Sequence, residues 1–143
     1  MKFVLPNNAK IREKTHFSSS VQKWANKKYT IEYISINSIW VLEWMNKDLM
    51  LKKPLVESNH FKYVNGNKQP YLDMIIRCRF GNNYTQLFDE LIKHFNYLQN
   101  GHENDYIITY KEDDKYVILD GCHRASVLKK QGFTEVPVVI VEN

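Results

Sequence analysis

Val117-Ile118-Leu119-Asp120-Gly121-Cys122-His123-Arg124 is the stretch on which the organisation of this chain turns. An apolar, β-prone run stops at an acid and a glycine. A short helix carrying Ala125, Val127 and Leu128 follows, and Gly132 ends it. A strand that turns directly into a helix leaves backbone N–H groups unpaired at the helix start, with the positive end of the helix dipole behind them. Such corners bind anions, phosphates above all. His123 and Arg124 fall in the first helical turn, where the dipole favours acids over bases. A bound phosphate would offset that mismatch, and the corner therefore reads as functional.

Working outward, Tyr106–Tyr110 and Tyr116–Leu119 form two strand-like runs joined by the charged turn Lys111-Glu112-Asp113-Asp114-Lys115. Val136 to Val141 is a closing strand, which Pro137 places near an edge. Before the hairpin lies the clearest helix, about Thr85 to Leu98. Leu87, Leu91, Phe95 and Leu98 recur at helical spacing, with Phe88 and Ile92 widening the stripe. Asp73 to Phe80 fits a strand or a helix equally. Residues 52 to 72, with Pro54, Gly66 and Pro70, read as a loop-rich excursion. Ile39 to Leu51 reads as a short helix or an irregular segment, since Glu43, Asn46, Lys47 and Asp48 interrupt its apolar residues. Tyr29 to Ile36 is a strand largely covered on both faces. Residues 1–28 form an arm or early helix, in which Ser18-Ser19-Ser20 could cap a helix holding Val21 and Trp24.

The chain has 143 residues, 43% of them apolar and 13% aromatic, enough for one domain with a real core. No run of about 18 apolar residues is present, so no membrane span is expected. The N-terminal apolar segment is too short for a signal peptide, and a cytoplasmic location follows as an expectation. Cys78 and Cys122 match no metal spacing and are expected to stay reduced. Net charge is +4, with Lys10, Arg12, Lys14, Lys23, Lys27 and Lys28 the densest basic region. A solvated surface explains these better than a phosphate-tracking patch, and a nucleic-acid partner is not expected. A homo-oligomer is left open.

The run Tyr106–Val141 resembles the fold shared by ParB N-terminal domains and sulfiredoxins, which place a strand, a Gly-x-x-Arg turn, a helix and a return strand around a nucleotide phosphate. Gly121-Cys122-His123-Arg124 is similar to the sulfiredoxin Gly-Cys-His-Arg motif. Asp120-Gly121 followed by His123-Arg124 is similar to the Asp-Gly-His-His-Arg box of the free-serine kinases in that superfamily. Glu32 to Trp44 resembles the first strand and turn of those kinases, whose motif ends in a catalytic glutamate, and Glu43 falls at that place. The stronger likeness covers about 36 residues and the upstream one about 13; residues from about 45 to 105 align with neither. The resemblance implies an α+β domain over 29–143: a small mixed sheet flanked by helices, with an irregular insertion at about 45–80. It also implies an ATP-dependent phosphotransferase acting on a hydroxyl of a small metabolite, such as an amino acid, sugar or polyol. ATP or another nucleoside polyphosphate and Mg2+ are then the cofactors.

Each residue of the motif has a chemical role that fits. Gly121 lets the backbone approach a phosphate, though it equally suits a purely structural turn. Arg124 can hold phosphate oxygens bidentately or pair with a surface acid. His123 can donate to the same phosphate or pack as a structural histidine; Cys122 and Ala125 complete the expected phosphate cradle. Asp120 can hold magnesium, orient a substrate hydroxyl or cap the helix. Glu43, between Leu42 and Trp44, can act as general base; an exposed acid on a short helix would account for it as well. His60, Tyr63 and Tyr71 could line a substrate pocket or be ordinary loop residues, and His16, His94 and His102 carry no signal.

Two alternatives compete. In a sulfiredoxin-like reductase, Cys122 would be a helix-stabilised thiolate. Against it, Asp120 stands where sulfiredoxins carry a second glycine, and their proline-rich phosphate segment is not evident. In a nucleotide-gated ParB-like DNA-associated module, a helix-turn-helix would follow, yet only about 20 residues follow the motif.

Overall fold

Six strands make one mixed sheet in the computed structural model, which describes residues 28–46, 48–81, 83–94 and 107–142. They are β1 (Tyr29–Ser35), β2 (Ile39–Asn46), β3 (Leu49–Pro54), β4 (Ile107–Glu112), β5 (Lys115–Asp120) and β6 (Glu135–Val141), in spatial order β1-β6-β4-β5-β2-β3. The described helices are α1 (Asn59–Val64), α2 (Gln69–Arg77), α3 (Asn83–His94) and α4 (Cys122–Lys130). The architecture is α+β, as expected. The arm predicted over 1–28 lies outside the described residues save for Lys28, as do His16, His102 and the predicted helix end at Phe95–Leu98.

The β4–β5 hairpin forms where the charged turn was expected, with Asp113 at φ +55, a left-handed conformation that aspartate tolerates. β2 runs parallel to β5, pairing Ile39 with Tyr116 and Trp40 with Val117. One face of the sheet presents Ile39, Val41, Ile107, Ile118, Val136 and Val138 to Ala125 and Leu128 of α4, and this is the main core. A second core joins Tyr63, Tyr71, Met74, Cys78, Phe88 and Val127, so that α1, α2 and α3 pack around α4.

Several sequence expectations are corrected. Ile39–Leu51 is neither helix nor irregular: Ile39, Val41 and Glu43 alternate inward along β2, and the buried acid masks that alternation. The segment then turns on Asn46, whose side chain accepts the Asp48 N–H at 2.8 Å, into β3. The insertion at 45–80 is regular. Ser58 caps α1 by accepting the Phe61 N–H, and Gly66 at φ +95 links α1 to α2. Pro70 sits in the first turn of α2, where its missing N–H is harmless. Asp73–Phe80 resolves mostly into α2. On α3 the inward stripe centres on Phe88, while Leu87 is 60% exposed. β1 is an edge strand with Tyr33 largely exposed, so it is not covered on both faces. β6 lies inside the sheet despite Pro137, which faces Tyr33 just ahead of Val138, where the β4 pairing begins.

Candidate functional site at the Gly121 corner

β5 ends at Asp120 and α4 begins at Cys122, so Gly121 alone makes the turn. Its φ is +113, and an added Cβ would lie 3.2 Å from the Ile107 Cα and 3.2 Å from the Arg124 Nη2. The backbone therefore requires glycine here whether or not an anion binds. No side chain caps α4, so its leading N–H groups stand at the dipole's positive end without a side-chain acceptor. Ala125 is not among them. Its N–H is already donated to the Gly121 carbonyl at 2.8 Å and its methyl is fully buried in the core.

Arg124 folds back on Asp120, Nη2 to Oδ2 at 3.2 Å, with its side chain only 12% exposed against 38% for the acid. The positive charge in the first turn is thus already compensated in part. His123 is not a second one: burial first, then the neighbouring His60 and Arg124, hold its imidazole well below the usual histidine range and hence neutral at pH 7. The supposed clash of two bases with the dipole reduces to one guanidinium beside one carboxylate.

Cys122 departs from the thiolate expectation. Burial, reinforced by the carboxylates of Asp120 and Glu43 and opposed by Arg124, pushes its thiol up to about 12. Desolvation outweighs the helix terminus, and the group stays protonated. Both described cysteines are free, and Cys78 is buried.

Glu43 is the largest revision. It is 1% exposed on β2 instead of displayed on a helix. Its Oε1 accepts the Asn59 N–H at 2.5 Å, and its Oε2 pairs with the Lys53 ammonium on β3 at 2.5 Å. Both Glu43 and Asp120 act on the Cys122 thiol, which sets the end of β2 close to the Gly121 corner. Contacts close the same link a second way: Asn59 opens α1, and the ring of His60 beside it meets the His123 ring edge-on at 4.5 Å. Two sequence-predicted stretches some 80 positions apart are therefore brought together.

Around His123 lies a cluster that sequence inspection left among loop residues. The Tyr71 hydroxyl meets His123 Nε2 at 3.0 Å, and Phe88 stands edge-on to the His123 ring at 4.5 Å. Tyr63 stacks on Phe88 at 4.8 Å and donates its hydroxyl to Asp89 at 2.5 Å. Burial, then the Asp89 hydrogen bond, push the Tyr63 phenol up to about 12. Burial also raises the Tyr71 hydroxyl and drives the His60 imidazole down to about 4. His60 Nδ1 is buried without a hydrogen-bond partner. The only available signal was aromatic density after Ser58, and it needed α1 and α2 to be recognised as helices first.

No group of three His, Cys, Asp or Glu side chains that could hold a metal ion occurs among the described residues. One carboxylate, Asp120, stands half-exposed at the corner. That fits magnesium, which is bound through one or two carboxylates together with substrate phosphates and water. A shallow cleft of about 370 Å³, lined by residues including Ser38, Trp40 and Lys115, lies at the opposite end of β5. A smaller hollow of about 240 Å³ between Trp44, Cys78, Arg79 and Phe80 adjoins the Glu43 end of β2. No described helix is long and apolar enough to cross a membrane. No family model matches the chain, and neither does any curated protein or solved structure.

Proposed function

We propose that the Gly121 corner binds the phosphates of a nucleoside polyphosphate and that the protein transfers a phosphoryl group to a small-molecule hydroxyl. The resemblance to free-serine kinases within the ParB/sulfiredoxin superfamily suggests the reaction. One structural observation carries it: two carboxylates, Glu43 and Asp120, both act on the Cys122 thiol at the uncapped start of a nine-residue helix. The α4 amides and Arg124 grip the phosphates. In the tautomer in which the Tyr71 hydroxyl donates to Nε2, neutral His123 carries its proton on Nδ1 and offers a further donor.

Asp120 would hold magnesium, which would supply charge neutralisation at the phosphates. The substrate oxygen attacks the terminal phosphorus while its proton passes to the Glu43 carboxylate, and the bond from that phosphorus to the bridging oxygen breaks to release the nucleoside diphosphate. The buried, protonated Cys122 thiol argues against the reductase alternative.

The test is thermal stabilisation by ATP, ADP and CTP with and without magnesium, then turnover across a panel of amino acids, sugars and polyols. Arg124→Ala should abolish the stabilisation. Glu43→Gln, equal in size and able to accept the Asn59 N–H through its amide oxygen but unable to take a proton, should keep it and lose turnover. Wild-type protein unmoved by any nucleotide refutes the proposal.

A further inference from the structure

Lys53 escapes notice in the sequence, where it is one of two lysines before a proline. On the folded chain it is the cation nearest the proposed base. Its ammonium lies 2.5 Å from Glu43 Oε2, and its side chain remains 29% exposed while that of Glu43 is fully buried. The pairing is an ion pair without a hydrogen bond, since the buried Glu43 Oε2 accepts none, and it aims the lysine at the acid while leaving the side chain partly exposed. The acid is itself fixed from behind by the Asn59 N–H at 2.5 Å. Lys53 pairs with Val41 in the β2–β3 register, which sets its side chain on the same side of the sheet as Glu43, the side that carries α4.

We infer that Lys53 is the positioning cation for the terminal phosphate, held in place by Glu43, so that one ammonium bridges the base and the phosphoryl group to be transferred. This rests on the proposed nucleotide site and adds a residue to it. A point charge suits this task, since it follows a phosphoryl group without imposing the planar fork of an arginine. The bridge also brings the proton acceptor close to the phosphorus under attack, which is the positional advantage catalysis needs.

The consequence is selective: Lys53 should matter for the terminal phosphate and not for the first. Calorimetric titrations with AMP, ADP and ATP in magnesium, on wild type and Lys53→Met, separate the two. The variant should lose about ten- to a hundred-fold in ATP affinity, the range of one charge-assisted hydrogen bond, with AMP affinity unchanged. Lys53→Arg should recover part of the ATP preference. Because Lys53→Met strands a buried carboxylate, the double variant Glu43→Gln/Lys53→Met, which leaves no unpaired charge, is measured alongside and should show the same selective loss. Unchanged ATP affinity in both variants overturns the inference while leaving the nucleotide site standing. Equal losses for AMP and ATP also overturn it, since they mark general damage. Wild type that binds none of the three removes the nucleotide site and this inference together.

Discussion

Replacing Gly121 with alanine tests how the corner is built, and the other positive-φ glycines supply the controls. Gly66 at φ +95 and Gly132 at φ +91 have open space where a Cβ would go, whereas at Gly121, φ +113, the new carbon meets the Ile107 Cα at 3.2 Å. All three substitutions force a left-handed conformation on an L-residue, at about 1–2 kcal/mol each. A smaller unfolded-state gain of about 0.4–1 kcal/mol offsets part of that strain. Only Gly121→Ala adds a contact with backbone, which cannot swing away as a side chain can; overpacking of this kind costs about 1–3 kcal/mol. The expected loss at Gly121 is thus roughly 2–4 kcal/mol against about 1 at the controls, a large fraction of a stability of about 5–15 kcal/mol. Urea denaturation reads this directly, with a midpoint lowered by about 1–2 M for Gly121→Ala at an m-value near 2 kcal/mol/M. Three equal losses would refute the claim that β4 and the turn are in intimate contact. A Gly121→Ala protein of wild-type stability that no longer binds nucleotide would show instead that this glycine serves the ligand alone.

Two further outcomes follow from the buried groups. The His60 imidazole titrates near 4 in the folded protein and near 6.5 when unfolded, so the unfolded state binds more protons between those values. Stability should therefore be full above about pH 6.5 and fall toward pH 4, by roughly 3 kcal/mol from this residue. His60→Phe should flatten that fall in pH-dependent urea titrations, and an unchanged slope would contradict the burial. The Cys122 thiol, pushed up to about 12, should resist alkylation in the native protein at pH 8 and react only on unfolding. Rapid native labelling at Cys122 would reopen the reductase alternative.

What the sequence made legible was local. The turn at Gly121, the β4–β5 hairpin and helix α4 each follow from residues within one short window, where glycine geometry and alternation act directly. Legibility failed where a polar residue occupied an inward position. Glu43 stands in β2 where the alternation asks for an apolar side chain, and it is compensated by Lys53 and the Asn59 amide, partners invisible until the strands pair. Pro54, Gly66 and Pro70 read as loop markers because prolines and glycines punctuate helix starts and turns as readily as loops. The His60, Tyr63, Tyr71 and Phe88 cluster depends on three helices meeting α4, a tertiary fact that no periodicity encodes.

The pairing of charges at the corner bears on what it is for. A buried carboxylate such as Glu43 is a poor device for stability, because the desolvation it suffers consumes most of what its ion pair returns, and an apolar pair of similar volume often does as well. β2 has Ile39 and Val41 at the preceding inward positions, so an apolar residue at Glu43 would continue the same packing. A second ion pair, Arg124 with Asp120, stands on the adjoining strand and helix, partly open to solvent. Both pairs lie near the start of α4, a helix whose first turn has no side-chain cap. Fold stability explains neither pair well. The proposed polyphosphate would account for both, since it would bring negative charge to the cations that the two carboxylates hold at this corner.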